Sequence, residues 1–237
     1  IYADGTRPKV ARHSYWSVHE RQVSGIVDIY DLLQEVTLRD DAVVIRDVFT
    51  CGDATYTRRK SEFFKTNPLH WVCLDIDSES VADGVDATSI EAVEEVIKRL
   101  PKEFHNVTYV VHFSSSAGLR GQIVKIHLWF WLKDAIKSKY LKGWAKSLNV
   151  RVDESLFDRV HMIFVCDPTF QNPEMDPFRN SGKNRLAFVE KSRESVPLCV
   201  RENTLIPSRV YKEGMGVFSE NTDQFLPKSY NAEGKLI

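Results

Sequence analysis

Two carboxylates two residues apart close the apolar run "HWVCLDID". In a β-strand, period two puts Trp71, Cys73, Asp75 and Asp77 on one face and Val72, Leu74 and Ile76 on the other. Gathering carboxylates at an apolar strand is costly unless a cation compensates them. Oxygen ligands at this spacing suit Mg2+ or Mn2+, the ions that activate a hydroxyl and neutralise phosphate charge in nucleotidyl transfer. Taken alone, D-x-D is also the pattern of two solvated residues at a strand end, which is its plainer reading. His127 stands in a second apolar run, "KIHLWFWL", on the same face as Lys125, while Ile126, Leu128, Phe130 and Leu132 take the other. A lone histidine in such a strand is as readily a core residue as a functional one; Lys125 beside it adds the chemistry of an anion site. Trp129 and Trp131 are most simply packing residues. A further carboxylate, Asp153 in "RVDESLF", could complete a metal site, with Asp158 as its competitor.

These residues must be positioned by an alternation of strands and helices. Ile26, Ile29, Tyr30, Leu33 and Val36 recur at helical spacing, and "AVVIR" (Ala42 to Arg46) reads as a short buried strand. "TSIEAVEEVIKRLP" predicts a helix with Thr88 and Glu91 as a capping box, a stripe of Ile90, Val93, Ile97 and Leu100, and Pro101 as terminator. "VTYVVHF", the polar turn "SSSAGLRGQ" and "KIHLWFWL" read as two strands of a hairpin. Ile136, Tyr140, Leu141, Trp144 and Leu148 predict another helix, and "HMIFVC" and "RLAFVE" further strands. The resulting order β-α-β-β-α-β is that of a ferredoxin-like, split βαβ core of α+β class. From about residue 200 the pattern dissolves into an extended tail or linker.

Composition narrows the function classes. The 237 residues carry 32 Lys and Arg against 33 Asp and Glu, a net charge of −1, so any nucleic-acid contact must use a local patch rather than bulk charge. Basic residues cluster in "YTRRKSEFFK", "KDAIKSKYLKGWAK" and "RNSGKNRLAFVEKSR", each of which could equally be a solvated face. No apolar run nears the roughly 18 residues of a spanning helix, so no membrane role is expected. Cys51, Cys73, Cys166 and Cys199 form no C-x-x-C pair, which argues against zinc and against a disulfide framework and makes a reducing cytoplasm the expected location. The chain opens on Ile1 without a basic region and apolar stretch, as a fragment or processed form would, not a retained signal peptide.

In order, "WVCLDID", "HFSSSAGL" with "KIHLWFWL", and "VDESLFDRVHMIFVCDPTF" resemble the archaeo-eukaryotic primase superfamily, especially the primase or primase-polymerase domains of phages, plasmids and mobile elements. Asp75 and Asp77 match its hydrophobic-D-hydrophobic-D motif, His127 its strand histidine and Asp153 its third, aspartate motif. The likeness covers roughly Arg46 to Glu190 and rests on motif order and spacing; Lys125 stands where relatives often carry Ser, and "FVCDPTF" lacks their common Arg. The resemblance implies an RRM-like catalytic palm (about 69–199) beside an N-terminal α/β lobe (about 1–68), with residues 200–237 as tail. It implies two Mg2+ or Mn2+ ions on Asp75, Asp77 and Asp153, with His127 on the triphosphate of an NTP or dNTP; Lys125, on the same face, is expected to join His127 there. Ser115, Ser116 and Arg185 are expected to add nucleotide contacts. Arg58, Arg59, Lys60 and Lys183 would hold single-stranded DNA template, with Tyr56, Phe63 or Phe64 as stacking platforms. A helicase domain or protein is the expected partner in replication of a mobile element. Two other classes fit parts of the pattern: a non-catalytic single-strand-binding module on the same core, and a D-x-D transferase acting on sugar nucleotides.

Overall fold

The computed structural model describes residues 16–49, 55–56, 64–65, 67–158, 160–179 and 181–200. The chain divides into Ile1–Ile206 and Pro207–Ile237, and every described residue belongs to the first unit. The tail expected from residue 200 lies, but for Val200, outside the described residues. Among those described, no helix is long and apolar enough to cross a membrane.

In chain order the elements are β1 (Trp16–Ser17), α1 (Ile26–Thr37), β2 (Val44–Ile45), β3 (Val48–Phe49), β4 (Thr55–Tyr56), β5 (Phe64–Lys65), β6 (Leu69–Ser80), α2 (Ile90–Ile97), β7 (Tyr109–Phe113), β8 (Ile123–Ile136), α3 (Ser138–Ala145), β9 (Met162–Ile163) and β10 (Leu186–Val189). The centre is a four-stranded antiparallel sheet in the order β10-β7-β8-β6. β6 and β7 both run antiparallel to β8, so they are parallel to each other with β8 between them, and α2 makes the crossover. That is the strand order of a split βαβ unit within an α+β fold.

Alternation along the strands divides the apolar residues between two faces. Val72, Leu74 and Ile76 of β6, Val111 of β7 and Ile126, Leu128 and Phe130 of β8 pack with Val93, Val96 and Ile97 of α2 and Leu141 and Trp144 of α3. The opposite face carries Trp71 and Cys73, Val110 and Trp129, covered by Ile26, Ile29 and Leu33 of α1 together with Leu156, Ile163 and Val165. Two expectations at α2 need correction. Its N-cap is Ser89, whose hydroxyl accepts from Ala92 N, because Thr88 is engaged one turn back, donating to Asp86. Ile90 then stands on the outer face, 37% exposed, and Ala92 and Val96 take the inward places.

The last strand of the core is also corrected. Of "HMIFVC" only Met162–Ile163 is a strand, and it pairs with Val44–Ile45 instead of joining the main sheet. The "AVVIR" segment is likewise broken, into β2 and the start of the turn to β3. β10 joins beside β7, whereas a ferredoxin-like sheet carries its last strand beside the first. The outer edge of β6 is closed in another way. The buried Arg46 guanidinium donates from Nε to Trp71 O (3.0 Å) and from Nη2 to Leu69 O (3.3 Å) and Ile136 O (2.9 Å), and from Nη1 to Ser138 Oγ (2.6 Å). It also lies over the Trp71 ring, 5.4 Å from its centroid. Burial brings its pKa down to about 10, which leaves it charged at neutral pH. A rigid fork of five donors is what this arrangement of carbonyls requires, so lysine is no substitute. Arg46→Leu strands three carbonyls at the sheet edge and is expected to lower the unfolding free energy by about 2–3 kcal/mol in urea denaturation, with Arg46→Lys recovering less than half.

Candidate active site

Strand register brings the candidate residues together. Asp75 of β6 lies directly opposite His127 of β8, and His127 lies opposite His112 of β7, so the three form one row across the sheet on the face shared with Trp71 and Cys73. His127 Nε2 is 3.6 Å from Asp75 Oδ1, and its Nδ1 is 3.3 Å from His112 Nδ1. The imidazole rings stack with centroids 5.5 Å apart and planes 16° from parallel. His112 is 1% and His127 8% exposed. Burial, reinforced by the neighbouring His127 and then by Arg185, holds His112 well below the usual histidine range and therefore neutral. Burial and then Asp75 push the Cys73 thiol up, which leaves it an inert packing group.

Buried polar atoms normally find partners, and those that do not mark places where something else is at stake. Among the described residues four buried side-chain polar atoms lack a hydrogen-bond partner: Asp75 Oδ1, His112 Nε2, Ser114 Oγ and Trp129 Nε1. Asp75 and His112 flank His127 in the row, and Ser114 follows β7, two residues beyond His112.

A β-bulge brings in the second carboxylate. Ile76 pairs with Ile126 and Glu79 with Val124, so Asp77 and Ser78 together face Lys125. Asp77 Oδ1 is 3.3 Å from Lys125 Nζ, with the Lys125 side chain 11% and that of Asp77 61% exposed. Beyond the bulge, Glu79 Oε1 accepts from Arg151 N (3.0 Å), and Asp153 N donates to Asp75 O (3.0 Å), so the chain after α3 is tied along the free edge of β6. Asp153 thus neighbours Asp75 through the main chain, while its carboxylate caps the short turn Glu154–Phe157 by accepting from Ser155 N (2.9 Å). Asp158 forms an ion pair with Lys142. In this arrangement Asp77 is turned to Lys125 and Asp153 to Ser155, and among the described residues no three His, Cys, Asp or Glu side chains converge closely enough to hold a metal.

The remaining candidates divide. Ser115 and Ser116 sit in the turn after β7, held by Ser114 N donating to Lys125 O and Ala117 N to Ser114 O. Arg185 is buried and positions this turn: its Nη1 donates to Ser114 O (3.1 Å), Nη2 pairs with Asp176 (2.5 Å), and the guanidinium lies 4.2 Å from the centroid of the Phe178 ring. Lys183 pairs with Asp86, and with Thr88 it brings the Asp86 carboxyl down to about 2. Arg58, Arg59, Lys60 and Phe63 lie outside the described residues; Tyr56 and Phe64 are described only as members of β4 and β5. His112 was not singled out from the sequence, although a hairpin that pairs Phe113 with Ile126 must pair 112 with 127.

No family model matches the chain, and no solved structure matches it. The chain is 23% identical over 218 residues to a protein of Escherichia phage T5 named "Putative replication origin binding protein". The match takes in 86% of this chain and 22% of the phage protein, so the chain spans about a fifth of that relative's length.

Gly118, in the turn that carries Ser115 and Ser116, has φ +78°, and a Cβ there would lie 2.7 Å from Thr88 Cγ2 and 2.8 Å from Pro177 Cβ. Gly121, with φ +58°, has open space around it. Gly121→Ala is expected to cost about 1–2 kcal/mol for the left-handed backbone alone, and Gly118→Ala clearly more, as read by thermal unfolding of the two variants side by side.

Proposed function

We propose that the chain is a nucleotidyltransferase of archaeo-eukaryotic primase type, with an RRM-like palm, which starts or extends primers on single-stranded DNA during replication of a mobile element. The observation that carries this reading is the opposition of Asp75 and His127 across β6 and β8, with Asp77 and Lys125 added by the bulge beside them. Carboxylates and cationic or hydrogen-bonding groups therefore occupy one end of one sheet face, the pairing that transfer of a nucleotide to a hydroxyl needs. The name of the phage T5 relative supports a place in DNA replication.

The donors suit a hard divalent cation, and Asp75 Oδ1, buried without a hydrogen-bond donor, is an oxygen that such an ion would satisfy. Asp75, Asp77 and Asp153 would hold Mg2+ or Mn2+, with Asp77 exchanging Lys125, and Asp153 exchanging Ser155 N, for the ion. Ions held by these residues would supply a lowered pKa for the attacking hydroxyl and neutralisation of phosphate charge. His127 Nε2 and Lys125 Nζ bind the triphosphate, Ser115 and Ser116 add contacts to it, and Arg185 holds their turn through Ser114 O. Lys183 and the basic residues Arg58, Arg59 and Lys60 bind template backbone; the exposed pair of Lys183 with Asp86 is weak enough to exchange for phosphate. In a longer parent protein a helicase domain completes the machine, working in a reducing cytoplasm.

Asp75→Ala and Asp77→Ala are each expected to abolish incorporation of labelled nucleotide on single-stranded DNA with Mg2+ or Mn2+; unchanged incorporation contradicts the reading. Asp153→Asn is expected to remove activity and Asp158→Asn to leave most of it, because Asp153 adjoins Asp75 while Asp158 is paired with Lys142 on the surface. The relative's name favours a second reading, a DNA-binding module without chemistry. Such a module retains labelled DNA in an anisotropy titration and forms no product with any nucleotide or metal.

A further inference from the structure

We propose that His112 is a positioning residue that fixes the tautomer of His127, donating its own Nδ1–H to His127 Nδ1 so that His127 presents Nε2–H toward Asp75 and the nucleotide. The inference rests on the nucleotidyltransferase reading for its consequence, and on the row of side chains for its mechanism.

Two nitrogens 3.3 Å apart cannot both bring lone pairs to the contact, nor both bring protons, so one of the pair donates. His112 is neutral and has a single N–H to give. If His112 donates, His127 must carry its proton on Nε2, where it faces the Asp75 carboxylate at 3.6 Å, an attractive contact. His112 Nε2 is then a bare acceptor in the core. If instead a neutral His127 donates, its Nε2 turns a lone pair on that carboxylate, and the buried His112 Nε2 becomes an N–H without an acceptor. An orphaned donor is the rarer and costlier of the two. Both contacts favour the first arrangement. On its other side in the row His112 meets Leu186 of β10, so His127 is the polar group that faces it across the strands.

A neutral histidine can bind a phosphate oxygen only through the nitrogen that bears its proton. With His112 in place, His127 offers that donor at Nε2, on the side of Asp75.

The tautomer is read directly from the imidazole nitrogen shifts of His127 in the 15N-labelled chain. Wild type is expected to show the proton on Nε2, and His112→Phe a substantial Nδ1–H population. In incorporation assays His112→Phe is expected to raise KM for nucleotide roughly three- to ten-fold, the worth of one neutral hydrogen bond, with kcat little changed. His112→Asn, whose amide N–H reaches the position of Nδ1, restores both the tautomer and KM, which mere loss of packing would not allow. A wild-type proton on Nδ1 of His127, or a His112→Phe chain with the tautomer unaltered, overturns the inference. Neither result bears on the nucleotidyltransferase reading, which stands or falls with incorporation by the wild-type and Asp75→Ala chains.

Discussion

The antiparallel pairing of β6 with β8 is the constraint on which the rest depends. Its register is set by burial: a slip of one residue would turn Leu74 and Ile76, or Leu128 and Ile126, out of the core they share with α2 and α3. With those residues inward, Asp75 and His127 can only meet on the opposite face. The β7–β8 hairpin extends the row to His112 by the same logic. The row of Asp75, His127 and His112 is thereby placed on a packed sheet, where strand geometry holds these side chains.

Much of this was legible in the sequence because it is local. Period two along "HWVCLDID" and "KIHLWFWL" assigned the faces of both strands correctly, and the β-α-β-β order identified the split unit. What the sequence did not reveal depends on contacts far apart in the chain. Nothing within "HMIFVC" says that it will stop after two paired residues; that outcome comes from the edge of β6, whose carbonyls at Leu69 and Trp71 are taken by Arg46 and at Asp75 by Asp153. Arg46 itself reads in sequence as the polar end of a short strand, and its role appears only when four acceptors from three elements surround it. His112 was hidden by ordinary surroundings, a histidine near the end of an apolar strand, until the hairpin register set it beside His127.

The balanced charge takes on a different meaning in the structure. Among the described residues, cations of the basic clusters and of the expected nucleotide site are already engaged: Lys183 with Asp86, Lys142 with Asp158, Lys125 with Asp77, Arg185 with Asp176. The first two pairs are solvated and exchangeable at small cost, whereas Arg185 is buried among Phe170, Phe178 and the turn at Ser114, and serves the architecture. Under the proposed function, affinity of this chain for a polyanion is expected to be modest and salt-sensitive.

In the proposed function, the Asp75–His127 row is where metal and nucleotide meet. Paramagnetic broadening by Mn2+ in the presence of a nucleoside triphosphate locates that meeting without requiring turnover. The imidazole signals of His127 and the amides around Asp75 to Asp77 should broaden first, while the Trp144 indole, on the far side of the sheet against α2, stays sharp. Broadening centred elsewhere, or none at Asp75 and His127 at saturating Mn2+ and nucleotide, would contradict the account.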